Sequence, residues 1–186
     1  MIPKFLYIVT AAAILLLAGQ KAIASENLLT LNPNFEEQAT GWTPVDGTYW
    51  SISTRSIEKT SEEDSALRRV VFRGTEKGRT FTVWNTQEIP VEPGQQYTLS
   101  AAFQVLAPAG HRYSQAVVLK VFDGQRELSV LEGEPIENSR LYSIFPSVFT
   151  MPEQAAYVRV GLRVIVNETT DDLGYLFFDK VSLTKE

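Results

Sequence analysis

Eight residues of this 186-residue chain have the types to hold a flat polar ligand. Tyr49, Trp50, Trp84 and Tyr142 offer aromatic faces, and Gln87, Gln104, Arg159 and Arg163 offer amide and guanidinium donors. Aromatic faces beside directed donors suit binding by stacking and hydrogen bonding, with no bond broken. Trp84 is the strongest of the set. It lies in Thr82-Val83-Trp84-Asn85-Thr86-Gln87, an alternating segment just before a turn. Groups for bond-breaking chemistry are sparse. His111 is the single histidine and has no partner for a catalytic metal, there is no cysteine nucleophile, and no G-x-S-x-G elbow is present. Glu58, Glu62, Glu63 and Asp64 form an acidic run that could include a carboxylate pair, but a charge run is usually solvated. Asn167-Glu168-Thr169 matches a glycosylation sequon, a short pattern that is frequent by chance.

The elements that must position these groups read as strands. Candidate strands are 27–32, 48–54, 67–73, 79–89, 96–106, 115–123, 127–131, 141–150, 156–166 and 174–184, separated by Gly, Pro, Asn and Asp at regular spacing. There is no convincing amphipathic helix. Val91-Glu92-Pro93-Gly94-Gln95 reads as a tight turn, with Gly94 supplying a positive φ. Alternation assigns faces. Tyr97, Leu99, Ala101, Phe103 and Val105 form one core face, and Val158, Val160, Leu162, Val164 and Val166 another. Arg159, Gly161, Arg163 and Ile165 then point outward, and Gln87 and Gln104 are expected on the same sheet as the two arginines. Two antiparallel sheets packed through such faces make an all-β sandwich.

Residues 1–24 have the parts of a secretory signal peptide: Lys4, the 14-residue apolar run Phe5–Ala18, and the site Ala22-Ile23-Ala24. The run is short for a membrane span. Cleavage before Ser25 would leave residues 25–186 as one domain, secreted or periplasmic and without a membrane anchor. Both lysines of the peptide go with it, so the formal charge moves from −5 to −7, with 15 basic against 22 acidic residues. Such a chain is a poor partner for nucleic acid or anionic lipid, and a neutral ligand or a cation suits it better. Without cysteine there are no disulfides, so stability rests on the core and on any bound metal.

Three segments carry a family resemblance. Leu28-Leu29-Thr30-Leu31-Asn32-Pro33-Asn34-Phe35-Glu36 with Gly41-Trp42, then Val91 to Ser100, then Phe178-Asp179-Lys180-Val181-Ser182-Leu183, resemble in order the signatures of carbohydrate-binding modules of the family 4, 9 and 22 type. The resemblance implies a galactose-binding-like jelly roll. It also implies a polysaccharide or oligosaccharide partner, stacked on Trp84 and its companions, and no catalysis. It further implies a structural Ca2+ between the N-terminal loop and the last strand, at Glu36 and Asp179. Trp42 of the Gly-Trp pair belongs to the core. Two positions depart from the pattern: Asn34 replaces a glycine, which requires it to carry a positive φ, and Lys180 replaces a second aspartate. Two other readings remain open. One is a structural or protein-interaction domain that has lost the glycan site. The other is a small glycan-active lyase or hydrolase built around His111, Tyr113, Arg159 and Arg163.

Overall fold

The computed structural model describes residues 25–44, 50–53, 65–71, 76–107, 112–137, 141–168 and 174–186. The signal peptide, Tyr49, the acidic run Glu58–Asp64 and His111 lie outside the described residues. Twelve strands lie among the described residues: β1 (Trp42–Pro44), β2 (Trp50–Ser53), β3 (Ala66–Val71), β4 (Thr80–Asn85), β5 (Ile89–Pro90), β6 (Gln96–Leu106), β7 (Arg112–Phe122), β8 (Glu127–Glu132), β9 (Ile136–Glu137), β10 (Ser143–Thr150), β11 (Tyr157–Glu168) and β12 (Gly174–Lys185). They form two antiparallel sheets. One runs β1-β4-β11-β7-β8, with β5 added on β11 and β9 on β7; the other runs β10-β6-β12-β3-β2. This is the two-sheet jelly roll expected.

The inner faces follow the alternation. Tyr97, Leu99, Ala101, Phe103 and Val105 of β6 and the five apolar residues Val158 to Val166 of β11 are all buried. Phe103 is the hub of the second sheet's side of the core, stacked on Phe145 at 5.5 Å and edge-on to Phe178 at 5.2 Å. Truncating a ring buried in this way costs about 3–5 kcal/mol. Gly94 has φ 71° in the turn before β6.

Segment 27–32 is not a strand. Its polar groups are held by side chains in place of a ladder. Asn27 donates its amide to Val181 O and accepts from Leu29 N and Leu183 N, while Leu28 N–H donates to Leu183 O. Gln87 accepts from Thr30 N and Leu31 N and donates to Leu28 O; Asn85 donates to Leu31 O. The following loop folds round Asn32, whose amide donates to Gln38 O and Thr40 O and whose carbonyl accepts the Trp42 indole N–H. Asn34 is not the left-handed residue. Asn32, Phe35 and Gln38 are, at φ 50°, 59° and 57°. A phenylalanine in that region costs roughly 1–2 kcal/mol, and burial of its ring 5.0 Å from Trp42 offsets the cost. Trp42 is in the core, as expected.

The last strand carries a β-bulge between Asp179 and Ser182, with Lys180 at φ 47°. The bulge frees Val181 N–H from the ladder, and it donates instead to Pro33 O of the N-terminal loop. Residues 27–33 are therefore held along β12.

Candidate functional site

Three of the expected ligand-binding residues come together on the outer face of the seven-stranded sheet. Trp84 leaves β4 outward, and Arg159 and Arg163 leave β11 two residues to either side of Gly161. The register sets Trp84, Gly161 and Val118 in one row across β4, β11 and β7. The indole lies down along that row, over Gly161. A Cβ on Gly161 would stand 2.6 Å from Trp84 Cε3 and Cζ3 and 2.7 Å from Val118 Cγ2. Only a residue without a side chain leaves room for this edge of the indole against the sheet. Trp84 is consequently half-buried, one edge on the sheet and the rest toward solvent.

Charged groups surround the ring. Lys120 of β7 sets its Nζ 4.6 Å from the Trp84 ring centre and 3.2 Å from Glu127 Oε2. Arg163 donates from Nε to Thr82 Oγ1 at 3.1 Å and pairs with Glu132. Arg159 pairs with Glu88 and lies 5.4 Å over Phe122, which stacks on Tyr157 at 4.6 Å. The whole is a shallow strip of indole, guanidinium and ammonium on a rigid sheet. It can present a flat apolar face flanked by multiple hydrogen-bond donors.

The remaining candidates lie elsewhere. Gln87 sits on the connection after β4, but both ends of its amide are held by the N-terminal segment, so it is structural. Gln104 projects from β6 in the other sheet, which corrects the expectation that it shares a surface with the arginines. Trp50 of β2 also belongs to that sheet and turns inward, its ring 6.0 Å from Phe178. Tyr142 precedes β10 in the same sheet, with Lys180 Nζ 5.0 Å from its ring. Alternation gives the face of a strand but not the sheet it joins. Lys120, Gly161 and Phe122 were missed as members of the site. All three lie in segments read as strands, and what was lacking was the register that puts β7 beside β11.

Of the residues named for bond breaking, His111 lies outside the described residues, and the three described ones do not come together. Tyr113 points into the core, where burial pushes its hydroxyl pKa up, while Arg159 and Arg163 point out. A notch of about 240 Å³ lies near the far end of β11, beside Arg112, Glu137 and Glu168, with Arg112 ion-paired to both carboxylates. The side chain of Asn167, of the sequon, donates to Ser114 Oγ.

Glu36 is exposed on the loop that meets β12, and Asp179 is buried with Oδ1 accepting Lys180 N–H at 2.7 Å. Calcium requires six to eight oxygens. Among the described residues no group of three or more Asp, Glu or His comes together. The loop carbonyls of Asn32, Pro33, Phe35, Glu37, Gln38 and Thr40 each accept an intramolecular hydrogen bond. Loop and strand are joined there by amide and backbone hydrogen bonds.

No protein-family model and no curated protein sequence matches the chain. Solved structures do. The enzymatically active domain of tailspike protein 4 from Bacteriophage CBA120 superposes with a TM-score of 0.62 at 14% identity, over 86% of this chain and 21% of that one. The CBM22-1 xylan-binding domain of Paenibacillus barcinonensis Xyn10C gives 0.58 at 12% identity, over 87% and 96%. A family 61 carbohydrate-binding module solved with β-1,4-galactotriose gives 0.56 at 17% identity, over 87% and 100%. The chain thus spans about a fifth of the tailspike chain and nearly all of the two modules. The fold is the jelly roll of carbohydrate-binding modules.

Proposed function

We propose that the protein is an exported, non-catalytic domain that binds an extracellular or cell-envelope polysaccharide across the outer face of the seven-stranded sheet. The observation that carries this reading is the half-buried Trp84 indole, packed by its Cε3–Cζ3 edge over Gly161 beside the two arginines of β11. A pyranose ring stacks its C–H face on such an indole, and guanidinium groups on either side donate to its hydroxyls. Export rests on the pattern of residues 1–24, and the non-catalytic reading on the likeness to standalone carbohydrate-binding modules.

Affinity electrophoresis of the full chain in gels containing a panel of soluble polysaccharides tests the reading. Retardation by at least one glycan, lost in Trp84→Ala, is the expected result. Migration unchanged in every gel would overturn it. A protein partner would then be the better reading, because β10 presents Ile144 and Val148 to solvent at 56% and 59% exposure beside Leu141. A chelator arm decides the calcium that the resemblance implies at Glu36 and Asp179. A fall in melting temperature would support the ion, and an unchanged value would count against it.

A further inference from the structure

The ring on which a neutral sugar would stack is already capped. Lys120 Nζ stands 4.6 Å from the centre of the Trp84 ring and is held there by Glu127 at 3.2 Å. A neutral ring can displace the ammonium only by breaking a cation–π contact, and it returns hydroxyl hydrogen bonds but no opposite charge. The charges around the strip are also ordered from the middle outward. In each of the three ion pairs the cation is the more enclosed partner. Side-chain exposure is 19% for Arg163 against 33% for Glu132, 26% for Lys120 against 46% for Glu127, and 38% for Arg159 against 51% for Glu88. The centre of the strip is therefore positive and its rim negative. Arg159 Nε is moreover buried and donates to nothing among the described residues.

We infer that the saccharide bound here is anionic, with a carboxylate or sulfate received by Lys120 while its ring lies on Trp84. The exposed glutamates are the exchangeable partners. A ligand anion takes the place of Glu127 on Lys120, and equivalent exchange is open at Arg159 and Arg163, since solvated ion pairs are individually weak. The cap then becomes a contact, and the same lysine that obstructs a neutral sugar selects a charged one. The net charge of −5 does not oppose this locally, because attraction at contact distance acts well inside the screening length, about 8 Å at physiological salt.

The inference rests on the glycan-binding reading, and its test separates the two. The full chain is run against polygalacturonate and alginate for carboxylates, dextran sulfate for sulfates, and neutral galactan and xylan, at low and moderate salt. The expected result is retardation by one anionic class at least about tenfold stronger than by either neutral glycan, the size of one charge-assisted contact, and weaker in salt. Lys120→Met should remove that preference and leave neutral binding equal or stronger. Lys120→Arg, which keeps the charge, should preserve it; this second variant separates loss of charge from loss of fold, which the melting temperatures also report. Carboxylate and sulfate gels identify which anion is read. Neutral glycans binding as tightly as anionic ones, or Lys120→Met keeping the anionic preference, would overturn the inference and leave the glycan reading standing. Binding to no polysaccharide would overturn both.

Discussion

The N-terminal segment and the strip around Trp84 use similar polar side chains, amides in one and guanidinium and ammonium groups in the other, to opposite ends. Around residues 27–32, Asn27, Asn85 and Gln87 address backbone groups of the chain itself, and Gln87 alone makes three such bonds. Backbone groups cannot move away, so these bonds persist and define structure. Around Trp84 the partners of the cations are glutamate side chains at the rim, at 33–51% exposure. Those partners can be exchanged for a ligand at small cost, because each pair is screened by water. What a polar side chain faces separates stability from binding better than its own chemistry does.

Variants at the two regions should divide accordingly. Gln87→Ala orphans two backbone N–H groups and a carbonyl, and is expected to lower stability by about 2–3 kcal/mol. Thermal unfolding should show it as a drop of roughly 5–10 °C, with glycan retardation unchanged. If binding fell along with stability, the two regions would not be separable. Trp84→Ala should do the reverse. A loss of about thirtyfold in affinity, or ~2 kcal/mol, is expected for a central aromatic, with little change in melting temperature. Gly161→Ala sharpens the comparison further, because it touches no ligand. Its methyl group would lift the indole off the sheet, and we expect affinity to fall about tenfold while acrylamide quenching of Trp84 fluorescence rises.

The smallest effect belongs to the turn between β7 and β8. Asp123 accepts from the N–H groups of Arg126 and Gln125 and from the Arg126 guanidinium, which holds its carboxyl below the ordinary carboxylate range. A depressed folded pKa means stability that is present above about pH 4 and lost as pH falls through the folded value. The difference in melting temperature between wild type and Asp123→Asn should shrink as pH drops from 6 toward 3. A difference that grew would contradict the hydrogen-bonded turn.

Much of the fold was legible because burial leaves a mark on every second residue. The run Val158 to Val166 announces a strand with one dry face, and the structure buries all five apolar positions. Register leaves no such mark. Gln104 and Arg163 both read as outward residues of alternating strands, yet they face opposite sides of the molecule. The N-terminal segment misled for a different reason. Leu28, Leu29 and Leu31 look like strand, but Asn27, Asn85 and Gln87 satisfy its backbone through side chains, and an amide holding a distant backbone is indistinguishable in sequence from one facing water. The site was half legible. Trp84, Arg159 and Arg163 could be picked out by type, whereas Lys120 and Gly161 matter only because β7 and β4 flank β11.

The bonds between Asn27 and β12 join residues 154 and 156 positions apart. Such closures are slow events, since the entropy of bringing distant segments together must be overcome before any contact rewards it. The clasp is therefore a timer on the molecule's history. It cannot close until Leu183 has been synthesised, so Asn27 of a nascent chain waits for partners more than 150 residues later. It is also the point at which loss of Val181 to Leu183 would undo the hold on Asn27 and Leu28.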